Sequence, residues 1–253
     1  MAKKIKFGLK LWSINTALIG KAVKLLDEKI FDYIELFVVP DTDIAPFLVD
    51  VPYIIHIPHH QFGVSIGEAK KKKDSLEKIR ESFNWADKLD ARYLILHAGT
   101  GSIQHASDFI KEISDGRLLI ENMPGFGLNR EPMIGFSPQQ IEELIDGNDI
   151  GLCLDFGHAI KAASCLKKDY REYINSFLYL EPKIFHLSDG MAGNEIDEHL
   201  SLGDGDFDIE FLLGCTMKSS SGLMTLEIPR KNPDSFQEDL RNIHFLNNIT
   251  YLG

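Results

Sequence analysis

The chain has 253 residues, 44% hydrophobic, 26% charged and 10% aromatic, a composition that excludes a disordered tail, a collagen-like repeat and a disulfide-stapled miniprotein. Its 27 basic residues against 38 acidic ones leave a formal charge of -11, so the average field repels nucleic acid and anionic lipid and only a local basic groove would attract them. At about 150 residues per domain the length allows one or two domains, and an α/β barrel reaches it as one.

Short apolar or β-branched runs alternate with stretches of helical periodicity along the whole chain. The first run, 6–12, precedes a helix over Leu18–Glu28, and the second, 33–38, is followed by a connection without a clear helical pattern. The third, 53–57, leads into a long helix, Glu68–Leu89; the fourth, 93–98, again has a weak connection. The fifth, 117–122, precedes a helix over Ser137–Ile145 in which Pro138 takes the first turn. The last three runs, 150–156, 183–188 and 223–228, are accompanied by helices over Tyr170–Phe177 and Ser235–Phe245. Eight strands alternating with helices in this length predict a single (β/α)8 TIM barrel over 1–253, with a doubly wound open sheet as the rival. No Pro/Gly/Ser-rich linker divides the chain.

The chemistry-bearing residues fall at the ends of these strands: Glu35, His56, His97, Glu121, Asp155, His186 and Glu227. In a barrel these ends form one mouth, so residues far apart in sequence would meet there. Two pairs in the following loops, Asp155 with His158 and Asp197 with His199, add to the set. Imidazole and carboxylate together suit zinc, manganese or iron, and about three ligands with one open position make a catalytic site. The candidates are too many for one ion, and if Glu121 bridges they would fill two or three sites. Taken singly, a strand-end histidine is as readily a core residue bonded to backbone; burying Glu121, Asp155 and Glu227 together without cations is what weighs against that reading.

Smaller features have plainer readings. Lys70 to Lys73, flanked by Glu68, Asp74 and Glu77, reads as a solvated helix face. Arg230 and Lys231 follow Glu227 at the mouth and could neutralise a phosphate. The loop 124–135 could close over a substrate, or be an ordinary connection. Asp204, Asp206 and Asp208 read as turn and cap residues. Cys153, Cys165 and Cys215, widely spaced and odd in number, fit a reducing cytoplasm rather than a disulfide framework or a CxxC zinc site. Lys10, Ser13 and Asn15 interrupt the only stretch that could imitate a signal peptide, no run approaches the roughly 20 residues of a membrane span, and no protein partner is implied.

The segments IIHIP, LILHAG, LLIENMPGFG, CLDFGHA, FHLSD, DEHLSLGDGDF and TLEIPRKNPD resemble, in this order, the motifs of the endonuclease IV and xylose isomerase-like TIM-barrel superfamily, also called AP endonuclease family 2. The resemblance runs from about residue 53 to 235, and residues 197–205 are especially similar to the Asp-Arg-His loop of the endonuclease IV branch, with Glu198 in place of the Arg. It implies a trinuclear zinc cluster: His56, His97 and Glu121 on one ion, Glu121, Asp155, His186 and Glu227 on a second, and His158, Asp197 and His199 on a third. It also implies the activity, a phosphoester or phosphodiester hydrolase with Glu121 and Glu227 as catalytic residues, zinc or alternatively manganese as cofactor, and a small phosphorylated or sugar substrate or abasic DNA as partner. The one-metal sugar or sugar-phosphate isomerases and epimerases of the superfamily use the positions of Glu121, Asp155, His186 and Glu227, and the pattern around Glu35 is similar to theirs. The loop 38–43 is short and acidic where the repair enzymes carry Arg and aromatic residues, and His59 and His60 stand where those enzymes wedge the duplex. Glu35, His59, Arg230 and Lys231 are the expected substrate contacts. A barrel that binds metal only for stability is the non-enzymatic alternative.

Overall fold

The structure, a computed structural model, describes residues 5–113 and 115–250. Eight parallel strands close in sequence order into one barrel: β1 (Lys6–Trp12), β2 (Tyr33–Phe37), β3 (Tyr53–His56), β4 (Leu94–His97), β5 (Leu118–Glu121), β6 (Gly151–Asp155), β7 (Ile184–Leu187) and β8 (Leu223–Leu226). The (β/α)8 expectation holds, and the strands match the expected runs to within about two residues at each end. β8 stops before Glu227, whose N–H still donates to the Leu187 carbonyl at 3.0 Å. Glu227 therefore keeps strand geometry just beyond the pairing.

The helices are α1 (Ile19–Asp27), α2 (Lys72–Lys88), α3 (Ile103–Glu112), α4 (Pro138–Ile145), α5 (Phe156–Leu166), α6 (Tyr170–Leu178), α7 (Ile209–Lys218) and α8 (Gln237–Thr250). Ser137 caps α4 by accepting from the Gln140 N–H, and Asp208 caps α7 by accepting from Phe211. Such caps satisfy backbone donors that the first turn leaves open. Their distribution is uneven. Between β2 and β3 the described residues hold only the 3-10 turn Ala45–Phe47, whereas α5 and α6 both lie between β6 and β7.

Alternation along each strand sorts the side chains into two populations. Outward residues such as Leu9, Leu11, Ile34, Leu36, Leu94, Leu96, Leu152 and Leu154 are fully buried against the helices in the main core. Inward residues form layers. The lower layer is an apolar plug of Tyr33, Ile54, Ile95, Leu119, Cys153, Ile184 and Leu223, which packs as a cluster of its own. Two residues further along the same strands stand Glu35, His56, His97, Glu121, Asp155, His186 and Thr225, all buried. One period-2 step thus turns an apolar floor into a polar, ionisable layer at the C-terminal mouth.

Candidate metal centre

Lateral register brings the polar layer together: His97 pairs with Glu121, Asp155 with His186, and His186 with Thr225 across neighbouring strands. Glu121, fully buried on β5, is the hub. Its Oε2 lies 2.9 Å from His97 Nε2 and 3.3 Å from His56 Nε2, and its Oε1 lies 3.2 Å from His158 Nδ1 and 3.5 Å from His186 Nδ1. His186 Nδ1 is also 3.4 Å from Glu227 Oε1 and 3.9 Å from Asp155 Oδ2.

The outer arm comes from two further elements. Asp155 is the N-cap of α5, and its Oδ1 accepts from the His158 N–H at 2.6 Å, so the helix start carries His158 back over the mouth. Asp197 Oδ2 lies 3.0 Å from His199 Nδ1 and 3.5 Å from His158 Nε2, while His199 Nε2 reaches Glu227 Oε2 at 3.4 Å. His199 adopts φ 48°, a left-handed conformation uncommon for a non-glycine residue, at the point where its ring turns toward the mouth.

Among the described residues, five overlapping groups have ligand atoms within 4.8 Å of one another. Three consist of expected ligands alone: His56, His97 and Glu121; Glu121, Asp155, His186 and Glu227; Asp155, His158 and His199. The other two bring in Cys153 beside Glu121 and His186, and Glu35 beside His56 and Glu227. Asp197 adjoins the group of Asp155, His158 and His199. The orphaned atoms fit a metal. Among the described residues, Glu121 Oε1, Asp155 Oδ2, His186 Nδ1 and Asp197 Oδ2 are buried without a hydrogen-bond partner, a costly arrangement unless a cation takes the lone pairs. Three ring nitrogens on the same histidine set are already held. His56 Nδ1 lies 2.9 Å from the Ile57 carbonyl, His158 Nδ1 2.9 Å from the Asn122 carbonyl, and His186 Nε2 3.0 Å from Glu35, the outer contacts that orient ligand imidazoles.

Electrostatics favour the charged cluster. Although burial opposes it, the imidazoles of His97 and His186 hold the Glu121 carboxyl well below the usual range. Burial also opposes ionisation of Glu227, but His186 and Lys10 depress it well below that range. Burial, aided by Glu121, Glu227 and Asp197 against the pull of His158, raises Asp155 to about 6. Burial disfavours the imidazolium of His199, yet Asp197 and Glu227 outweigh it and push the group up to about 9. A metal takes a neutral imidazole and an ionised carboxylate, so binding must expel the His199 proton below about pH 9 and any Asp155 proton below about pH 6. Zinc affinity of the metal-free protein is therefore expected to rise at least tenfold from pH 6 to pH 8, with proton release at pH 7.5. Calorimetry in buffers of different ionisation enthalpy reads this directly, and a buffer-independent heat would contradict it.

The remaining candidates are placed differently. Glu35 is wholly buried beneath the mouth: Oε1 takes Lys10 Nζ at 2.5 Å, and Oε2 takes Thr225 Oγ1 at 2.6 Å besides His186. It does not line the cavity. His59 does, stacked on His97 at 5.5 Å, and burial with the nearby His97 and His56 lowers it to about 2, leaving a neutral ring. Arg230 lines the cavity too, but its guanidinium is bound to Asp239 at 2.7 and 2.8 Å and to the Lys10 carbonyl. Lys231 lies exposed beyond it. The cavity above the ligands measures about 470 Å³ and is walled by Trp12, Phe37, Ile228 and Pro229 among others.

Four residues outside the expected set support the centre. Lys10 enters the mouth between Glu35 and Glu227. Asn122 brackets Asp155, donating to its carbonyl at 2.9 Å and accepting from its N–H at 2.7 Å. Asp189 accepts from the N–H groups of Gly190, Gly203, Gly205 and Phe207 and so folds the loop that carries Asp197 and His199. Lys161, fully buried one turn after His158, is paired with Glu198 and donates to the Met191 carbonyl at 2.7 Å. The motifs FHLSD and LLIEN contain two of the four, but no spacing distinguishes them from structural residues.

The other sequence features lie apart from the centre. Lys70 and Lys71 pair with Glu68, and Lys72 with Glu112. Asp206 accepts from the Ala192 N–H and Asp204 pairs with Arg241. The loop 124–135 is tied down by a Phe126–Pro132 bridge and by Glu131 on His60 Nε2 at 2.8 Å. The three cysteines are free, and no described helix is long and apolar enough to cross a membrane.

Comparison with known proteins agrees with this architecture. A probable endonuclease 4 of Thermoplasma volcanium is 29% identical over 180 residues, which span 64% of this chain and 59% of that protein. The crystal structure of endonuclease IV from Thermus thermophilus superposes with a TM-score of 0.74 at 19% identity, covering 98% of this chain and 100% of that one. That of a D-tagatose 3-epimerase-like protein superposes with 0.73 at 18% identity, covering the same shares. Such structural likeness at low identity shows the fold alone. The sequence model of the xylose isomerase-like TIM barrel family matches residues 48–248; with the closed barrel and its polar mouth, this places the chain in that family.

Proposed function

We propose that the protein is a metal-dependent phosphoester or phosphodiester hydrolase of the endonuclease IV type. The observation that carries this reading is the convergence of all nine expected ligands on one mouth, with four of their buried carboxylate and imidazole atoms there left without a partner. Two or three zinc ions, or manganese, bound there would lower the pKa of a water toward about 7 and stabilise the leaving oxygen. Glu121 sits between the two histidine pairs with one oxygen toward each, and Glu227 joins the inner group to the His199 arm. The apolar plug closes the barrel beneath the ligands, and the cavity opens above them.

The Thermoplasma relative's name, an endonuclease, supports a nucleic-acid phosphodiester as substrate, and the motif resemblance narrows that to abasic DNA. The exposed Asp41 and Asp43 in the loop after β2 and the overall charge of -11 favour a small phosphorylated molecule instead. The test is hydrolysis of bis(4-nitrophenyl) phosphate and of an abasic duplex by zinc- or manganese-loaded protein, with metal content measured on the same sample. Near three ions per chain and cleavage of at least one substrate are expected. Inertness toward both at full metal loading would sink the reading.

One observation favours a second reading, a sugar or sugar-phosphate isomerase or epimerase: the cavity has the size of a small-molecule site and an aromatic wall of Trp12 and Phe37, stacked at 4.6 Å. Glu121 and Glu227 would then move protons on a ketose. Metal-dependent uptake of solvent deuterium into the sugar distinguishes it, and hydrolysis without exchange excludes it.

A further inference from the structure

Lys10 has no place among the metal ligands, yet it stands in their midst. Its side chain points into the mouth from β1, on the same strand face as Trp12, and both line the cavity. The ammonium reaches Glu35 Oε1 at 2.5 Å and also Glu227 Oε1. An ammonium has three donors, so one remains for a group entering the cavity. The position is not free to drift: Glu35 is fully buried, and its second oxygen is already taken by Thr225 and His186. Withdrawing Lys10 would strand that carboxylate, which holds the ammonium where it is. Arg230, the other fixed cation on the cavity wall among the described residues, is occupied by Asp239 and the Lys10 carbonyl.

We propose that Lys10 contacts substrate directly, donating its third N–H to an anionic oxygen, which on the hydrolase reading is a phosphoryl oxygen. The assignment rests on that reading for the identity of the oxygen. Because the donor is held in place by two carboxylates before any ligand arrives, little ordering is left to be done on binding. A lysine serving only as a structural counter-ion would have no reason to face the cavity with a donor to spare.

The test uses inorganic phosphate as the probe. Zinc-loaded wild-type protein, Lys10→Met and the double variant Lys10→Met/Glu35→Gln, which removes the stranded charge, are titrated calorimetrically, and zinc per chain is measured on each sample. Phosphate is expected to bind both variants at least tenfold more weakly at unchanged zinc content. Equal affinity at equal zinc content overturns the assignment, and so does loss of zinc from both variants, since Lys10 would then belong to the metal framework. Either result leaves the hydrolase reading standing. A wild-type protein that holds zinc and ignores phosphate overturns both.

Discussion

Replacing Glu121 by Gln is expected to cut metal-dependent turnover by on the order of 10³-fold, the scale of losing a preorganised charge-stabilising group, and to leave at most one tightly held ion. The carboxylate offers one oxygen to His97 and His56 and the other to His158 and His186. An amide has one acceptor, and its NH2 group would face either the Nε2 atoms of His56 and His97 or the Nδ1 of His186, which must keep their lone pairs for a metal. Both histidine pairs lose their anionic partner, and whichever way the amide turns, one of them faces an NH2 group in place of an acceptor oxygen. The barrel itself should survive, because the apolar plug below and the helix-facing core do not depend on this residue. Metal analysis beside a thermal melt in chelator therefore separates lost binding from lost fold. A variant that keeps its ions and its rate would remove Glu121 from the centre of the mechanism.

The second large effect is expected at a residue that is not among the expected ligands. Asp189→Ala removes the acceptor of four backbone N–H groups, those of Gly190, Gly203, Gly205 and Phe207, at 2.8 to 3.2 Å. Each buried donor left without a partner costs about 1–3 kcal/mol, and partial access of water lowers the sum to roughly 3–5 kcal/mol. The loop cannot simply close up: a Cβ at Gly205 would lie 2.4 Å from the Asp189 carboxylate, so the backbone already rests against it. With that anchor gone, residues 197–199 lose their register with His158, and the outer ion is lost before the inner ones. Chemical denaturation gives the stability change and zinc analysis the missing ion. Loss of stability with a full metal complement would show that the loop holds its shape without Asp189.

The strand ends were legible because alternation there is strict: LILH, LLIE and LCLD each switch from apolar to ionisable at a position that must face inward if the earlier residues face the helices. The helices were less so. α5 is buried on nearly every side from Phe156 to Ala163, so it lacks the one-sided apolar stripe that marks a surface helix, and α7 is nearly as apolar. The connection after β2 has no α-helix to find among the described residues. Lys10 and Lys161 illustrate a different limit. A lysine within an apolar stretch reads as an interruption until its partners are known, and those partners, Glu35 and Glu227 for one, Glu198 for the other, are brought in by barrel closure from distant strands and loops. Asp189 and Asn122 act on backbone groups, which carry no signature in side-chain spacing.

The apolar plug has a consequence for traffic. With Cys153, Leu119 and their neighbours sealing the barrel below, the cavity among the described residues opens on the centre from the mouth, past Trp12, Phe37 and Pro229. On the proposed reading, ions would load before the substrate and lie underneath it once it is seated. An occupied cavity would then act as a stopper: a chelator is expected to strip zinc more slowly when phosphate fills the cavity than when it is empty, and equal rates of zinc release would contradict this.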